Sequence, residues 1–217
     1  MFSSCQAVQS IDFSIVNTSQ VKNFSYMFDG CEKLESLDLS GFDTSAATNM
    51  YRMFVDCSSL TSLDLSSFDT SNVKDMGRMF MNCKKIQTLN IESFNTSNVT
   101  DMSYMFEYST LETIDLNHFD TSKVKNMIYM FAFSSTQYFE LRNFEFAEKV
   151  SLRAMFLNCN FHELRMDYLT SNLDMTCTEM FSGASGWIWM PVSIYDYIDE
   201  SNGLIDSTVH NYWKGHS

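Results

Sequence analysis

Proline is almost missing: one occurs in 217 residues, and glycine is held to seven. Linkers between independently folding units are marked by such residues, so their scarcity argues for one continuous domain. The glycines are also isolated, which removes any glycine-rich loop able to cradle a phosphate. Basic charge is scarce as well, with 14 Lys and Arg against 27 Asp and Glu and a formal net charge of −13. A surface of that sign repels phosphate backbones and anionic lipid, which argues against nucleic acid and for a protein or glycan partner of basic or neutral surface. No apolar run approaches the roughly 18 residues that a membrane span needs, so membrane insertion is not expected. Residues 1–14 carry neither a basic n-region nor an apolar h-region. Two expectations fit: a cytoplasmic protein, or a processed or partial chain whose signal lies upstream, the second favoured slightly by an opening inside a repeat.

What is abundant is repetition. The dipeptide Met-Phe recurs at Met1, Met27, Met53, Met79, Met105, Met130, Met155 and Met180, at intervals of 26 residues and then 25. Regularity over that length means one structural unit stacked on copies of itself. Within one copy, Leu63 and Leu65 alternate with Ser62, Asp64 and Ser66, the period-two pattern of a strand with one buried face. Val73, Met76, Met79 and Phe80 follow at spacings of three and four, which predicts one face of a short helix. Ser71, or Asn72 with Asp75, would cap it. The expected fold is an α/β repeat, a leucine-rich-repeat solenoid of about eight strand-turn-helix coils over residues 1–185 with parallel strands on one face. An aromatic C-terminal cap or tail, residues 186–217, is expected to follow, because all three tryptophans (Trp187, Trp189, Trp213) lie there with Pro191, Tyr195, Tyr197 and Tyr212; an aromatic docking segment is the alternative reading.

The segment from Leu60 to Cys83, read Leu-Thr-Ser-Leu-Asp-Leu-Ser-Ser-Phe-Asp-Thr-Ser-Asn-Val-Lys-Asp-Met-Gly-Arg-Met-Phe-Met-Asn-Cys, resembles the repeat of the BspA-like leucine-rich-repeat surface proteins in their 26-residue Met-Phe form. The resemblance implies a bacterial or protist surface or secreted protein, often a lipoprotein, associated with adhesion and host contact, and no catalytic residues. No lipidation cysteine follows a signal segment, and the last copies, such as Phe161 to Phe181, are degenerate. In ordinary leucine-rich repeats an asparagine ladder follows the strand. Here Phe42, Phe68, Phe94, Phe119 and Phe144 stand at that position, so a phenylalanine stack is expected in its place. The turn carbonyls are then expected to be served by Asp43, Asp69, Asn95 and Asp120 and the Thr-Ser pairs beside them.

Two stripes are candidate binding surfaces. Between the inward strand positions stand Asp12, Asp38, Asp64, Asn90, Asp115 and Glu140, with Arg165 ending the series. Stacked like charges destabilise and so call for a reason. A solvated face that blocks edge pairing is one; an acidic stripe for a basic partner or a weakly held divalent cation is the other. The alternative face is set by Tyr26, Arg52, Arg78, Tyr104 and Tyr129, each immediately before a Met-Phe pair. Cation–π stacking between coils would make these residues structural, while their residue types are also those of binding hot spots.

Chemistry finds little to work with. Cys5, Cys31, Cys57, Cys83 and Cys159 share one repeat position that Ser109, Ser134 and Ala184 also fill, which predicts packed thiols, with disulfides between neighbouring coils as the other reading. No C-x-x-C pair exists, and neither metal nor cofactor is expected. His118, His162, His210 and His216 share no spacing, and Cys177 with a distant histidine has no support beyond residue type. Sequons at Asn17, Asn23, Asn95 and Asn98 follow from the repeat itself. The expected function is non-enzymatic: an adhesin-like surface or secreted module that binds a macromolecule, the alternative being an intracellular scaffold or inhibitor of a protein partner.

Overall fold

The computed structural model describes all residues except 1, 12, 14, 142, 148, 167–174, 191–208 and 212–217, and of residues 209–211 the backbone only. The strands are β1 (Ser62–Asp64), β2 (Thr88–Asn90), β3 (Thr113–Asp115), β4 (Ser135–Glu140), β5 (Asn160–Arg165), β6 (Ser185–Trp189) and β7 (Val209–Asn211). All pairings are parallel, β1 with β2 and then β3 through β7 in chain order. The expected strand phase holds: Leu63 and Leu65 are buried, and Ser62, Asp64 and Ser66 face water. A second ladder of parallel bridges, outside these strands, joins Asn23, Asn49, Asp75, Asp101, Asn126, Ser151 and Thr176 in sequence.

The expected helix is absent among the described residues. The fold is a parallel β-solenoid whose longest continuous sheet has five strands, not a leucine-rich-repeat stack of about eight strand-turn-helix coils. The backbone shows why. Each described residue before a Met-Phe pair has positive φ, among them Tyr26, Arg52, Arg78, Tyr104 and Tyr129, and a second left-handed residue follows four positions on, as at Gly30, Asp56, Asn82, Tyr108 and Phe133. A right-handed helix cannot pass through such residues. Between them the N–H groups alternate in direction. Those of Arg52, Phe54 and Asp56 bond to the carbonyls of Gly77, Met79 and Met81 on the next coil, while those of Met53, Val55 and Cys57 bond three residues back.

Those three-residue turns also account for the pattern that imitates a helix. Leu65/Phe68, Thr70/Val73, Met76/Met79 and Phe80/Cys83 are each joined by an N–H bond from the later residue to the earlier carbonyl, and every one of these side chains is buried. Inward-facing turn ends thus recur at three, with spacings of four arising where one turn hands over to another. The capping signal has the same origin. Asp75 does accept an N–H two residues on, from Gly77 at 2.9 Å, but so do Asn49 from Tyr51 and Asp101 from Ser103. Each closes a local Asx turn at a corner of the coil.

Inside, the Met-Phe phenylalanines form the main aromatic column: Phe28, Phe54, Phe80, Phe106, Phe131, Phe156 and Phe181 stack with centroids 5.2 to 5.7 Å apart, an offset geometry that adds to their burial. Phe42, Phe68, Phe94, Phe119 and Phe144 are buried as expected, with Phe42 and Phe68 parallel at 6.5 Å. The hydrogen-bonding ladder beside them belongs to threonine rather than to aspartate. Thr44 Oγ1 donates to the Asp69 carbonyl at 3.0 Å and accepts the Asp69 N–H at 2.8 Å. Thr18 and Thr70 do the same to Asp43 and Asn95, and Thr121 to Glu145. A carboxylate only accepts, so Asp43, Asp69 and Asp120 take the N–H groups of Ser45, Ser71 and Ser122 instead and leave the carbonyls to the hydroxyls.

Candidate functional site

The acidic stripe lies where the strand pattern puts it. Asp64 pairs in register with Asn90, and Asp115 with Glu140, which in turn pairs with Arg165; Asp12 lies outside the described residues. Four members have local work. Asp38, Asp64, Asn90 and Asp115 accept the N–H of Ser40, Ser66, Glu92 and Asn117 at 2.9 to 3.3 Å, closing the turn that leaves the strand. These bonds, with the serine hydroxyls, hold the Asp38 and Asp64 carboxyls below the usual carboxylate range. An oxygen acceptor at this corner thus has a local structural use, which the amide of Asn90 serves as the carboxylates do.

The Tyr/Arg stripe is tied to itself. The Arg52 guanidinium lies 5.4 Å from the Tyr26 ring centroid and bonds Asp29 at 2.7 Å. Arg78 sits 4.3 Å over Tyr104, which stacks on Tyr129 at 5.0 Å. All five side chains project from left-handed backbone, a conformation that costs on the order of 1–3 kcal/mol for a bulky residue and persists only where the surroundings hold it. Beside them Glu107 is buried, and desolvation pushes its carboxyl up to about 7 despite the opposing charge of Arg78.

A third constellation joins Trp187 and Trp189, which the sequence offered as part of a cap or a docking segment, to residues of two earlier strands that the sequence did not bring together with them. On the outward face of β4, β5 and β6 the register aligns Tyr138 with Glu163 and Trp187, and Glu140 with Arg165 and Trp189. At the first of these positions the earlier strands carry Ser62, Thr88 and Thr113. Tyr138 is 44% exposed and Trp187 37%. Tyr138 meets His162 edge-on at 5.6 Å, the Arg165 guanidinium lies 5.3 Å from the Trp189 ring centroid, and Arg165 approaches Glu163 at 3.7 Å. His162, Glu163, Trp187 and Trp189 line a shallow depression of about 240 Å³. Gly186 allows β6 to lie close against β5: a Cβ there would stand 2.0 Å from the Phe161 carbonyl oxygen, which no side chain tolerates. The available signal was the degeneracy of the last copies. Trp187 and Trp189, expected in a cap, are residues of β6. Pro191, Tyr195, Tyr197, Tyr212 and Trp213 lie outside the described residues.

The cysteines are free thiols, buried at Cys31, Cys57, Cys83, Cys159 and Cys177 and half-buried at Cys5. Cys57 and Cys83 donate to the Phe28 and Phe54 carbonyls at 3.2 and 3.1 Å. Burial pushes Cys83 and Cys159 up to about 12 and Cys57 higher still, which suppresses the thiolate that nucleophilic chemistry needs. Among the described residues no group of three or more His, Cys, Asp and Glu is placed to hold a metal ion, and no helix is long and apolar enough to cross a membrane.

The chain belongs to the family described as Mycoplasma protein of unknown function, DUF285, whose model matches residues 1–89 and again residues 80–188. No curated protein and no solved structure matches it.

Proposed function

We propose that this member of the DUF285 family is a non-enzymatic binding module, an adhesin-like surface or secreted protein that holds a macromolecular partner on the outward face of its strands. The observation that carries the reading is the change along that face. Ser, Thr and turn-closing Asp give way at β4 to β6 to the exposed rings of Tyr138 and Trp187, with Glu163 and Arg165 between and beside them. A solenoid holds such side chains on a rigid backbone, so little conformational entropy is lost when a partner docks. Exposed Trp and Tyr next to hydrogen-bonding charges are the side chains that dominate binding energies. The resemblance of the repeat to the BspA-like surface proteins supports display outside the cell, and the net charge of −13 argues against nucleic acid.

The test is to probe protein and glycan arrays with the wild type, with a Tyr138→Ala/Trp187→Ala double variant and with an Arg78→Ala/Tyr104→Ala double variant, each checked for an intact melting transition. The reading requires ligands that survive the second pair of changes and are lost with the first. Ligands lost only with the second pair would move binding to the Tyr/Arg face and overturn it.

A further inference from the structure

We infer that the outward face of β4 to β6, around the depression lined by His162, Glu163, Trp187 and Trp189, is a carbohydrate site that takes a neutral sugar, with Trp187 and, beyond His162, Tyr138 as its stacking faces. The inference rests on the binding-module reading and narrows it to a ligand class. Its ground is the combination of side chains. Pyranose rings present a face of weakly polarised C–H groups that packs on the π-surface of Trp or Tyr, and an equatorial rim of hydroxyls that both donate and accept. Tyr138 and Trp187 occupy the same register position on β4 and β6 with Glu163 between them on β5, so two exposed rings stand about 10 Å apart across three strands, given a strand spacing of about 4.8 Å. Between them lie an acceptor pair in the Glu163 carboxylate and the ring nitrogens of His162, which can donate or accept, a set that suits neighbouring hydroxyls needing both partners.

Charge decides among ligand classes. An aromatic cluster beside a carboxylate also suits a quaternary ammonium ion, but the Arg165 guanidinium already stands 5.3 Å from the Trp189 ring centroid and places a fixed positive charge in the patch. An acidic sugar would meet Glu163 and, on the adjacent strand, Glu140. With Glu163 and Arg165 only 3.7 Å apart, the two charges largely offset one another and favour a neutral polar ligand. Size points the same way. A depression of about 240 Å³ suits a sugar unit with its neighbours lying across the strands. A protein footprint of roughly 800 Å² per partner would instead have to extend onto the Ser, Thr and Asp surface of the earlier coils.

Two of the three tryptophans of the chain stand at this site, so intrinsic fluorescence reads occupancy directly. The full chain is titrated with hexasaccharides of β-1,4-linked glucose, β-1,3-linked glucose, α-1,4-linked glucose and β-1,4-linked N-acetylglucosamine, and with tetramethylammonium as the cationic probe. A saturable change in tryptophan emission is expected with at least one hexasaccharide. It should weaken by roughly tenfold or more in Tyr138→Ala, where all three tryptophans remain to report. Trp187→Ala, followed by calorimetry, should lose binding to a similar degree while melting as the wild type does. No saturable response to any hexasaccharide, a response to tetramethylammonium alone, or sugar binding undiminished in both variants would overturn the inference. An array protein whose binding is lost in the same variants, with no sugar response, overturns the carbohydrate assignment while leaving the binding-module reading standing. Array ligands indifferent to both variants overturn the binding-module reading itself.

Discussion

The Thr70 hydroxyl closes both backbone groups of Asn95, a residue one coil away: it accepts the Asn95 N–H at 2.8 Å and donates to the Asn95 carbonyl at 3.0 Å. Thr70 is fully buried, so its hydroxyl finds its partners in the next coil rather than in water. Thr70→Val keeps the shape and removes the hydroxyl, leaving a donor and an acceptor unpaired, and should cost about 2–3 kcal/mol in urea unfolding. Thr70→Ser keeps the hydroxyl and should cost less than half as much. Equal losses would mean that the methyl group, rather than the ladder, carries the effect.

The corner aspartates give a separable test of charge and turn. Asp64→Asn retains an oxygen that accepts the Ser66 N–H, so its melting temperature should stay close to that of the wild type, whereas Asp64→Ala should lower it. The Asp38, Asp43, Asp64 and Asp120 carboxyls are all depressed by serine N–H and hydroxyl donors. A depressed carboxyl contributes stability that is fully present above its unfolded value near 3.8 and is lost as pH falls through the lower folded value. Melting temperatures should therefore drop below pH 4, and Asp64→Asn should shallow that drop.

Glu107 acts in the opposite sense. Its folded carboxyl titrates at about 7 against an ordinary 4.5, so between those values the folded state holds a proton that the unfolded state has released. Stability from this group accordingly falls as pH rises from 4.5 to 7 and stays low above. Glu107→Gln should remove that decline and gain about 1–3 kcal/mol at pH 8 relative to the wild type. Parallel stability profiles for the two proteins from pH 5 to 8 would refute the assignment.

Thiol accessibility follows from the small-residue column. Native protein should react promptly at Cys5 alone, since the other cysteines are buried and their thiols are free, and denatured unreduced protein should titrate all six. Fewer thiols in unreduced denatured protein would establish disulfides between coils.

Much of the architecture is legible in the sequence, because stacking forces like residues into line: the repeat, the burial of Leu63 and Leu65, the buried column at Phe42 and Phe68, and the free thiols. Leu63→Asp should accordingly cost roughly 3 kcal/mol or more while Ser62→Asp is mild, as measured by chemical unfolding. The helix was misread because turns with buried ends three apart, such as Met76 and Met79, give the same spacing as a helix face. The cue against it was also weak, since left-handed backbone is carried by Tyr, Arg and Asn as well as by glycine. An Asx turn and a helix cap likewise place the same residue type before the same N–H, so Asp75 could not separate them. The aromatic patch was hidden for a different reason. It stands where the repeat decays, and only strand register joins Tyr138 to Trp187.

Each Met-Phe segment bonds to the next coil as well as making its own three-residue turns, and scalar couplings transmitted across hydrogen bonds in deuterated protein test this residue by residue. A coupling is expected from the Phe54 amide nitrogen to the Met79 carbonyl carbon, across the bond of 3.0 Å, with equivalent couplings from Arg52 to Gly77 and from Phe80 to Met105. A coupling from Phe54 to the Met50 carbonyl, four residues back, would place a helix there and contradict it.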